Sequence, residues 1–330
     1  MAFFHYKSET PIEVFQFLEQ QTQLGQDTLK NLISLGCLYR NGKRWNPTPG
    51  EWLQPNDIIR FHPNPKRFLI SQLEKIQILQ QTSNFVAIYK PPGVPSHETL
   101  DNQIENAKSH TRNLISATQL WPLSRLDVGT QGILLFSKSS EFAKRYNHYL
   151  SQQLVTKIYH CLSWGSSALK VATYIHWMQK SKKAPKILCT EEELGHQKLQ
   201  EESFDRCELK ILSSQLVTSN NLALFQNSLF CKNLLSHLER QKNFTKRESD
   251  QKFQIHFQNV YLNQIQLVTG RTHQIRAQLS KLDHPILGDS LYGSLFTSHG
   301  LFENFALACT HIVCEEIGLN VQIGLGKINW

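Results

Sequence analysis

The sequence predicts a two-domain globular chain of mixed helix and strand, and three observations predict it. A length of 330 residues accommodates about two domains of ~150 residues each. Apolar residues make up 40% of the chain, enough to bury a sizeable core without crosslinks. Stretches with helical spacing alternate with short apolar runs between turn signals. No repeat of fixed period is present, so a solenoid or propeller is not expected.

Taken in order, Ile12, Phe15 and Leu18 lie near helical spacing behind Pro11, which suits a first helical turn. Asp27 is placed to cap a second helix carrying Leu29, Leu32 and Ile33, and Gly36 to end it in the left-handed conformation. Cys37 to Arg40 follows as a short strand and Asn41-Gly42 as a hairpin turn. A later turn at Pro55-Asn56-Asp57 leads into a strand over Ile58 to Phe61. His62-Pro63-Asn64-Pro65 stiffens the exit, and the glutamine-rich stretch from Ser71 to Ser83 marks a linker. The expected organisation is thus a small domain over 1–66, a linker over 67–83 and a larger domain over 84–330.

In the larger domain, Phe85 to Tyr89 reads as a buried strand stopped by the rigid turn Lys90-Pro91-Pro92-Gly93. Gly132 to Phe136 reads as another strand, and Phe142, Tyr146, Tyr149 and Leu150 give the helix after it an apolar stripe. Lys180 to Lys186 is a solvated loop or, if the site handles RNA, one that tracks phosphates. Ser213 to Asp250 is polar and reads as an insertion. Tyr261 to Val268 is a further strand, after which Thr272 is placed to cap a helix whose apolar face holds Ile275, Leu279 and Leu282.

The net charge, 35 − 27 = +8, favours polyanion partners such as nucleic acid or anionic lipid. Apolar runs such as Ile133 to Phe136 fall far short of the ~20 residues a membrane-spanning helix needs, so none is expected. Met1 to Thr10 carries His5, Lys7 and Glu9 in place of the apolar core of a secretory signal. A cytoplasmic protein is the expectation. Seven scattered cysteines fit a reducing compartment rather than a disulfide framework. Cys309 and Cys314 lie either side of His311 but without the four ligands of a zinc site, so buried free thiols and no metal are expected.

Several chemistries lose support for want of their motifs: there is no phosphate-binding Walker loop, no His-Glu-x-x-His helix, no Gly-x-Ser-x-Gly elbow and no dinucleotide glycine fingerprint. Three dense polar segments stand out instead. Ser124-Arg125-Leu126-Asp127-Val128-Gly129-Thr130-Gln131-Gly132 precedes a buried strand and can present Asp127 at the strand edge, its glycines letting a substrate approach the backbone. Thr269-Gly270-Arg271-Thr272-His273-Gln274-Ile275-Arg276 brings two arginines to a helix N-terminus, a setting for phosphate or carboxylate. His284-Pro285-Ile286-Leu287-Gly288-Asp289 with Tyr292-Gly293 is a tight turn of architectural character.

Together with Lys157 to Tyr159 (Lys-x-Tyr) and the upstream Lys-Pro-Pro-Gly, these segments resemble the RluA-type family of pseudouridine synthases over roughly Phe85 to Trp330. Ser124 stands where that family commonly has His, and Gln131 where it commonly has Ser. The first domain, through Leu29-Lys30-Asn31-Leu32-Ile33-Ser34-Leu35-Gly36 and Arg40-Asn41-Gly42-Lys43, resembles an S4-type RNA-binding module, with Gly25-Gln26-Asp27 replacing the usual basic residues. The resemblance implies an α+β catalytic domain on a central mixed sheet, preceded by a small S4-like domain. It implies Asp127 as catalytic carboxylate, Tyr159 as the residue stacking on the target uracil or assisting proton removal, and Arg276 as ion-pair partner of Asp127. Arg125 would sit near the vacated base position, and Thr130, Lys90, Arg271, His273 and Gln274 would complete the substrate contacts.

The chemistry explains why such residues belong together. Uridine isomerisation breaks the N1–C1′ bond, turns the uracil and rejoins it through C5 without change of oxidation level, so no cofactor is implied. A carboxylate can attack C1′ of the ribose or C6 of the ring, or help remove a ribose proton. The base must leave its stack, which aromatic contact and hydrogen bonds in the pocket offset. An adjacent arginine keeps a sheltered Asp ionised, while a phenol, ionising near ~10, serves poorly as a free base at neutral pH. The expected activity is pseudouridine formation in ribosomal or transfer RNA by a monomer. The alternative, motivated by Ser124 and Gln131, is a non-catalytic RNA-binding or ribosome-assembly factor with the same fold. A glycosidase is weak, since no second acid accompanies Asp127 in these segments.

Overall fold

The computed structural model describes residues 4–196, 203–218, 259–293, 305–328 and 330. The chain packs as two units that interleave along the sequence, Met1–Ile76 with Val94–Leu120, and Gln77–Gly93 with Trp121–Trp330.

The first unit contains β1 (Phe4–Lys7), β2 (Ile12–Glu13), α1 (Val14–Thr22), α2 (Gln26–Ser34), β3 (Leu38–Arg40), β4 (Lys43–Arg44), β5 (Trp52–Leu53), β6 (Ile58–Phe61), α3 (Ile70–Leu73) and α4 (Ala107–Leu114). Strands pair in the order β1-β6-β3-β4, and β2 pairs with β5. Leu18, Leu29, Ile33, Leu38, Ile59 and Phe61 fill the core. Pro11 does not begin α1: the chain enters as β2, and the Glu13 carboxylate caps the helix by accepting from Gln16 N at 2.8 Å. Gly25, not Asp27, is the N-cap of α2; Asp27 lies in its first turn, where the helix dipole favours a carboxylate. Asn41 and Gly42 both have positive φ, 50° and 79°, as the two-residue hairpin turn requires.

The linear division into domains does not match this packing. The expected linker holds α3 and a strand of the large sheet, while Val94–Leu120 joins the first unit. Hydrogen bonds explain why that segment packs there. Tyr39 Oη donates to Leu100 O at 2.6 Å and Arg44 to Thr99 O at 2.6 Å. Asp101 accepts from Lys66 N, and the buried Glu105 carboxylate receives both Arg67 and the Phe68 N–H.

The second unit is built on one mixed sheet, as expected of the α+β class. Its elements are β7 (Gln77–Gln81), β8 (Phe85–Lys90), β9 (Trp121–Pro122), β10 (Gln131–Ser137), α5 (Ser140–Ser151), β11 (Thr156–Gly165), β12 (Thr173–Gln179), β13 (Leu188–Cys189), α6 (Glu191–His196), β14 (Phe204–Leu216), β15 (Asn259–Leu267), α7 (Gln274–Lys281), β16 (Leu307–Cys314) and β17 (Leu319–Gln322). Among the described residues the strand order is β13-β12-β14-β15-β11-β16-β10-β8-β7, with β17 on β16 and β9 on β10. Pairing is antiparallel except between β10 and β16. Every residue of β10 is buried, the mark of a strand covered on both faces. Most of the expected insertion over 213–250 lies outside the described residues.

Gly132 permits the parallel pairing. Its φ is +105°, and a Cβ there would stand 2.1 Å from Cys309 O and 2.7 Å from Cys309 N. Backbone on β16 leaves no flexible side chain to yield. Gly132→Ala therefore destabilises the protein by roughly 3 kcal/mol or more, read as a lower midpoint in urea unfolding.

Candidate active site

Three loops meet around one guanidinium. Arg276, on the first turn of α7, is buried. Its Nε donates to Asp289 Oδ2 at 2.7 Å and one terminal nitrogen to Asp289 Oδ1 at 2.8 Å, while the other terminal nitrogen reaches Asp127 Oδ2 at 3.2 Å. Asp289 is fully buried, and its Oδ1 also accepts from the Leu291 and Tyr292 N–H groups. Phe305 lies 4.2 Å from the guanidinium carbon and Tyr292 5.1 Å, both within cation–π reach. Burial opposes the charge on Arg276, but the hydrogen bonds and charge of Asp289, with the charge of Asp127, outweigh it and raise the pKa.

Asp127 differs from Asp289 in exposure. Its side chain is 24% exposed, so one carboxylate faces accessible space and the other is sealed. The loop carrying it is pinned from behind: Gly93 N donates to Val128 O at 2.8 Å, Lys90 Nζ to Val128 O at 3.2 Å and Thr130 N to Asp127 O at 3.0 Å. A Cβ on Gly129 would stand 2.5 Å from the Phe305 ring. That ring therefore packs closely between the Asp127 loop and Arg276.

His273 begins α7 in the left-handed region, φ 60°, and no side chain, Thr272 included, caps this helix. Its Nδ1 lies 3.2 Å from Tyr292 Oη, which accepts from Lys186 N at 2.7 Å, and its Nε2 lies 3.9 Å from Asp127 Oδ2. Burial lowers the His273 pKa; Asp127 opposes this and Arg276 adds to it. Arg276, not His273, is the countercharge to Asp127. Tyr159, on β11, is buried, and burial pushes its phenol well above 10, with Cys309 and Asp127 adding to the rise. It keeps its proton at neutral pH.

The remaining expected site residues divide. Arg125 is exposed, and Arg271 is half-exposed and 3.5 Å from Asp205; both are open to a ligand. Lys90, Thr130 and Gln274 are buried. Lys90 Nζ donates to Pro91 O and Val128 O. Gln274 is consumed internally, accepting from Thr269 Oγ1 and Arg271 N and donating to Glu208 O and Gln278 Oε1. Lys90 and Gln274 thus satisfy backbone groups of the loops around them. Asp289, Tyr292 and Phe305 were not singled out as site residues; only the density of the His284–Gly293 segment marked two of them. Ser124 Oγ accepts from Leu135 N at 3.3 Å and Gln131 Oε1 from Tyr89 Oη at 2.7 Å. Neither departure contacts the Asp127 carboxylate in these bonds.

Removing the sealed carboxylate strands a buried guanidinium, so Asp289→Ala costs about 3–5 kcal/mol in unfolding free energy, measured by urea denaturation. A second prediction concerns Lys90, whose burial pulls its ammonium down to about 7 from 10.5, Asp127 opposing. Between those values the unfolded chain holds a proton that the folded chain has released, so this group's contribution to stability rises with pH. The stability difference between wild type and Lys90→Met should therefore shift in favour of the wild type as pH rises above 7, in paired urea titrations.

Among the described residues no helix is long and apolar enough to cross a membrane, and no three His, Cys, Asp or Glu side chains are grouped to hold a metal. The chain is 27% identical over 247 residues to RNA pseudouridine synthase 6, chloroplastic, of Oryza sativa subsp. japonica, covering 74% of this chain and 46% of that protein. It thus spans about half the length of that relative. It is 26% identical over 219 residues to tRNA pseudouridine synthase C of Vibrio vulnificus, covering 66% of this chain and 74% of the relative. Human RNA Pseudouridylate Synthase Domain Containing 1 shares the fold, with a TM-score of 0.50, 18% identity and coverage of 76% of this chain and 83% of that one. The family described as RNA pseudouridylate synthase matches residues 84–281, more than half of the chain and the stretch that carries Asp127, Tyr159 and Arg276; the chain belongs to that family.

Proposed function

We propose that this protein isomerises uridine to pseudouridine in structured RNA. The observation that carries the reading is the asymmetric clamp on Arg276: one sealed carboxylate fixes the guanidinium, and one accessible carboxylate, Asp127, pairs with it at 3.2 Å. A partly exposed carboxylate near a buried aromatic ring is what a flipped nucleoside needs. Asp127 supplies the nucleophile or base, Arg276 holds it through the ion pair, and Tyr159, which retains its proton, stacks on the uracil. In the reaction the N1–C1′ bond breaks, a C5–C1′ bond forms, the C5 proton is lost to solvent and N1 gains one, so the product is an isomer. No redox cofactor is required by that balance.

Transfer RNA is the favoured substrate class, on the name of the Vibrio vulnificus relative, with ribosomal RNA the second. Arg125, Arg271 and His273 face the substrate in this reading, and the S4-like first unit contributes RNA affinity. The protein acts in the cytoplasm as a monomer. The non-catalytic alternative is the second reading, since Ser124 Oγ accepts from Leu135 N and Gln131 Oε1 from Tyr89 Oη.

The test is release of tritium from RNA labelled at uracil C5. Wild-type protein should release it from transfer or ribosomal RNA, and Asp127→Asn should lower the rate by roughly a thousandfold or more. Tight binding of both RNAs by wild-type protein without any release would instead establish the non-catalytic alternative.

A further inference from the structure

We propose that His176 and Gln278 are positioning residues: with Gln274 they form a buried relay that fixes how α7 is rotated on the sheet, and so the aim of Arg276 at Asp127, and that holds only while His176 is uncharged. The proposal rests on the functional reading above and extends it to residues outside the catalytic cluster.

Helix geometry separates the two faces of α7. At about 100° per residue, Gln274 and Gln278 lie on one face, a turn apart, and Arg276, midway between them in sequence, lies on the opposite one. The glutamine face bonds to β12 and β14, and the arginine face to the two carboxylates. No side chain caps α7. The Gln274 amide instead ties the first turn to the loop before it, accepting from Arg271 N at 3.0 Å and Thr269 Oγ1 at 2.9 Å.

Hydrogen bonds assign every member of the relay, and all three side chains are buried. The Arg271 N–H can only donate, so the Gln274 oxygen faces it, and Gln274 Nε2 is left to donate to Glu208 O at 3.1 Å and Gln278 Oε1 at 2.9 Å. Gln278 Nε2 then faces the carbonyls of Tyr174 and Cys207, each at 3.3 Å, and His176 Nδ1 at 3.0 Å. Carbonyls only accept, so this amide cannot be turned over. His176 Nδ1 must therefore accept, which puts the ring proton on Nε2 and leaves the ring neutral.

A second proton would set an N–H of His176 against the amide hydrogens of Gln278, two donors with no acceptor between them. Burial lowers the His176 pKa, with Lys281 of α7 adding to this and Glu193 of α6 opposing, and those two pair with each other at 2.8 Å. Cys207 lies across from His176 on β14, and Cys189 of β13 packs against the adjacent Trp177. The relay is therefore intact at neutral pH and is lost as pH falls.

The test pairs two readouts on the full chain: the pH profile of tritium release from transfer RNA labelled at uracil C5, and hydrogen–deuterium exchange of the segment 269–281. His176→Leu removes the acceptor; it should lower kcat roughly ten- to a hundredfold with KM little changed, and speed exchange in that segment. His176→Asn carries an oxygen where Nδ1 stood and does not titrate; it should restore both. Wild-type kcat should also fall at pH values below ~6.5 by a step that His176→Asn lacks. Equal acid loss in wild type and His176→Asn overturns the proposal and leaves the functional reading standing, as do parental kcat and exchange in His176→Leu. Should His176→Leu fold poorly, the acid profiles of wild type and His176→Asn still decide. If wild-type protein releases no tritium from any RNA, the functional reading falls and exchange judges the relay: faster exchange in His176→Leu than in His176→Asn supports it, and equal rates overturn it.

Discussion

The site depends on how one buried positive charge is shared. Arg276 spends its Nε and one terminal nitrogen on Asp289 and turns the other to Asp127. A guanidinium suits this division because its planar fork binds one carboxylate bidentately and keeps a donor to spare. Desolvation would make a buried cation costly, yet the sealed Asp289 and the rings of Phe305 and Tyr292 hold it in one place. Asp127 thereby meets a charge already fixed in position, at no cost of ordering it during a reaction.

The backbone around the clamp is as constrained as the charges. The Lys-Pro-Pro-Gly turn closes on Val128 through Gly93 N and Lys90 Nζ, so the Asp127 loop is held from behind while its carboxylate stays open in front. Gly132 then lets β10 run against β16, and Gly129 lets Phe305 pack against the loop. Small residues here exchange side-chain freedom for close approach. His273 lies beside Asp127 with a lowered pKa, which keeps a second positive charge from competing with Arg276.

Much of this was legible from residue order. The strands read over Phe85 to Tyr89 and Gly132 to Phe136 lie within β8 and β10, and the one read over Tyr261 to Val268 matches β15 but for its last residue. Gly36, with φ +84°, ends α2 as read. The pair Asp127 and Arg276 was implied by motif resemblance and stands at 3.2 Å. Helix starts were less legible: Glu13 and Gly25 cap where Pro11 and Asp27 were expected, because a cap depends on where the incoming chain changes direction and not on residue type alone. The packing of Val94–Leu120 with the first unit had no local signal, since its bonds join residues more than thirty positions apart.

The amino-acid order by itself determined the family and the short-range turns, and the motif resemblance put Asp127 and Arg276 forward as a pair, because motifs, glycine positions and apolar spacing are local properties of a chain. Only the tertiary structure decided what each polar residue faces. It buried Lys90, Thr130 and Gln274, and it made Asp289 and Phe305 the supports of Arg276. Burial is set by what packs over a side chain from distant segments, and a residue's hydrogen bonds go to whichever donors and acceptors that packing leaves nearest.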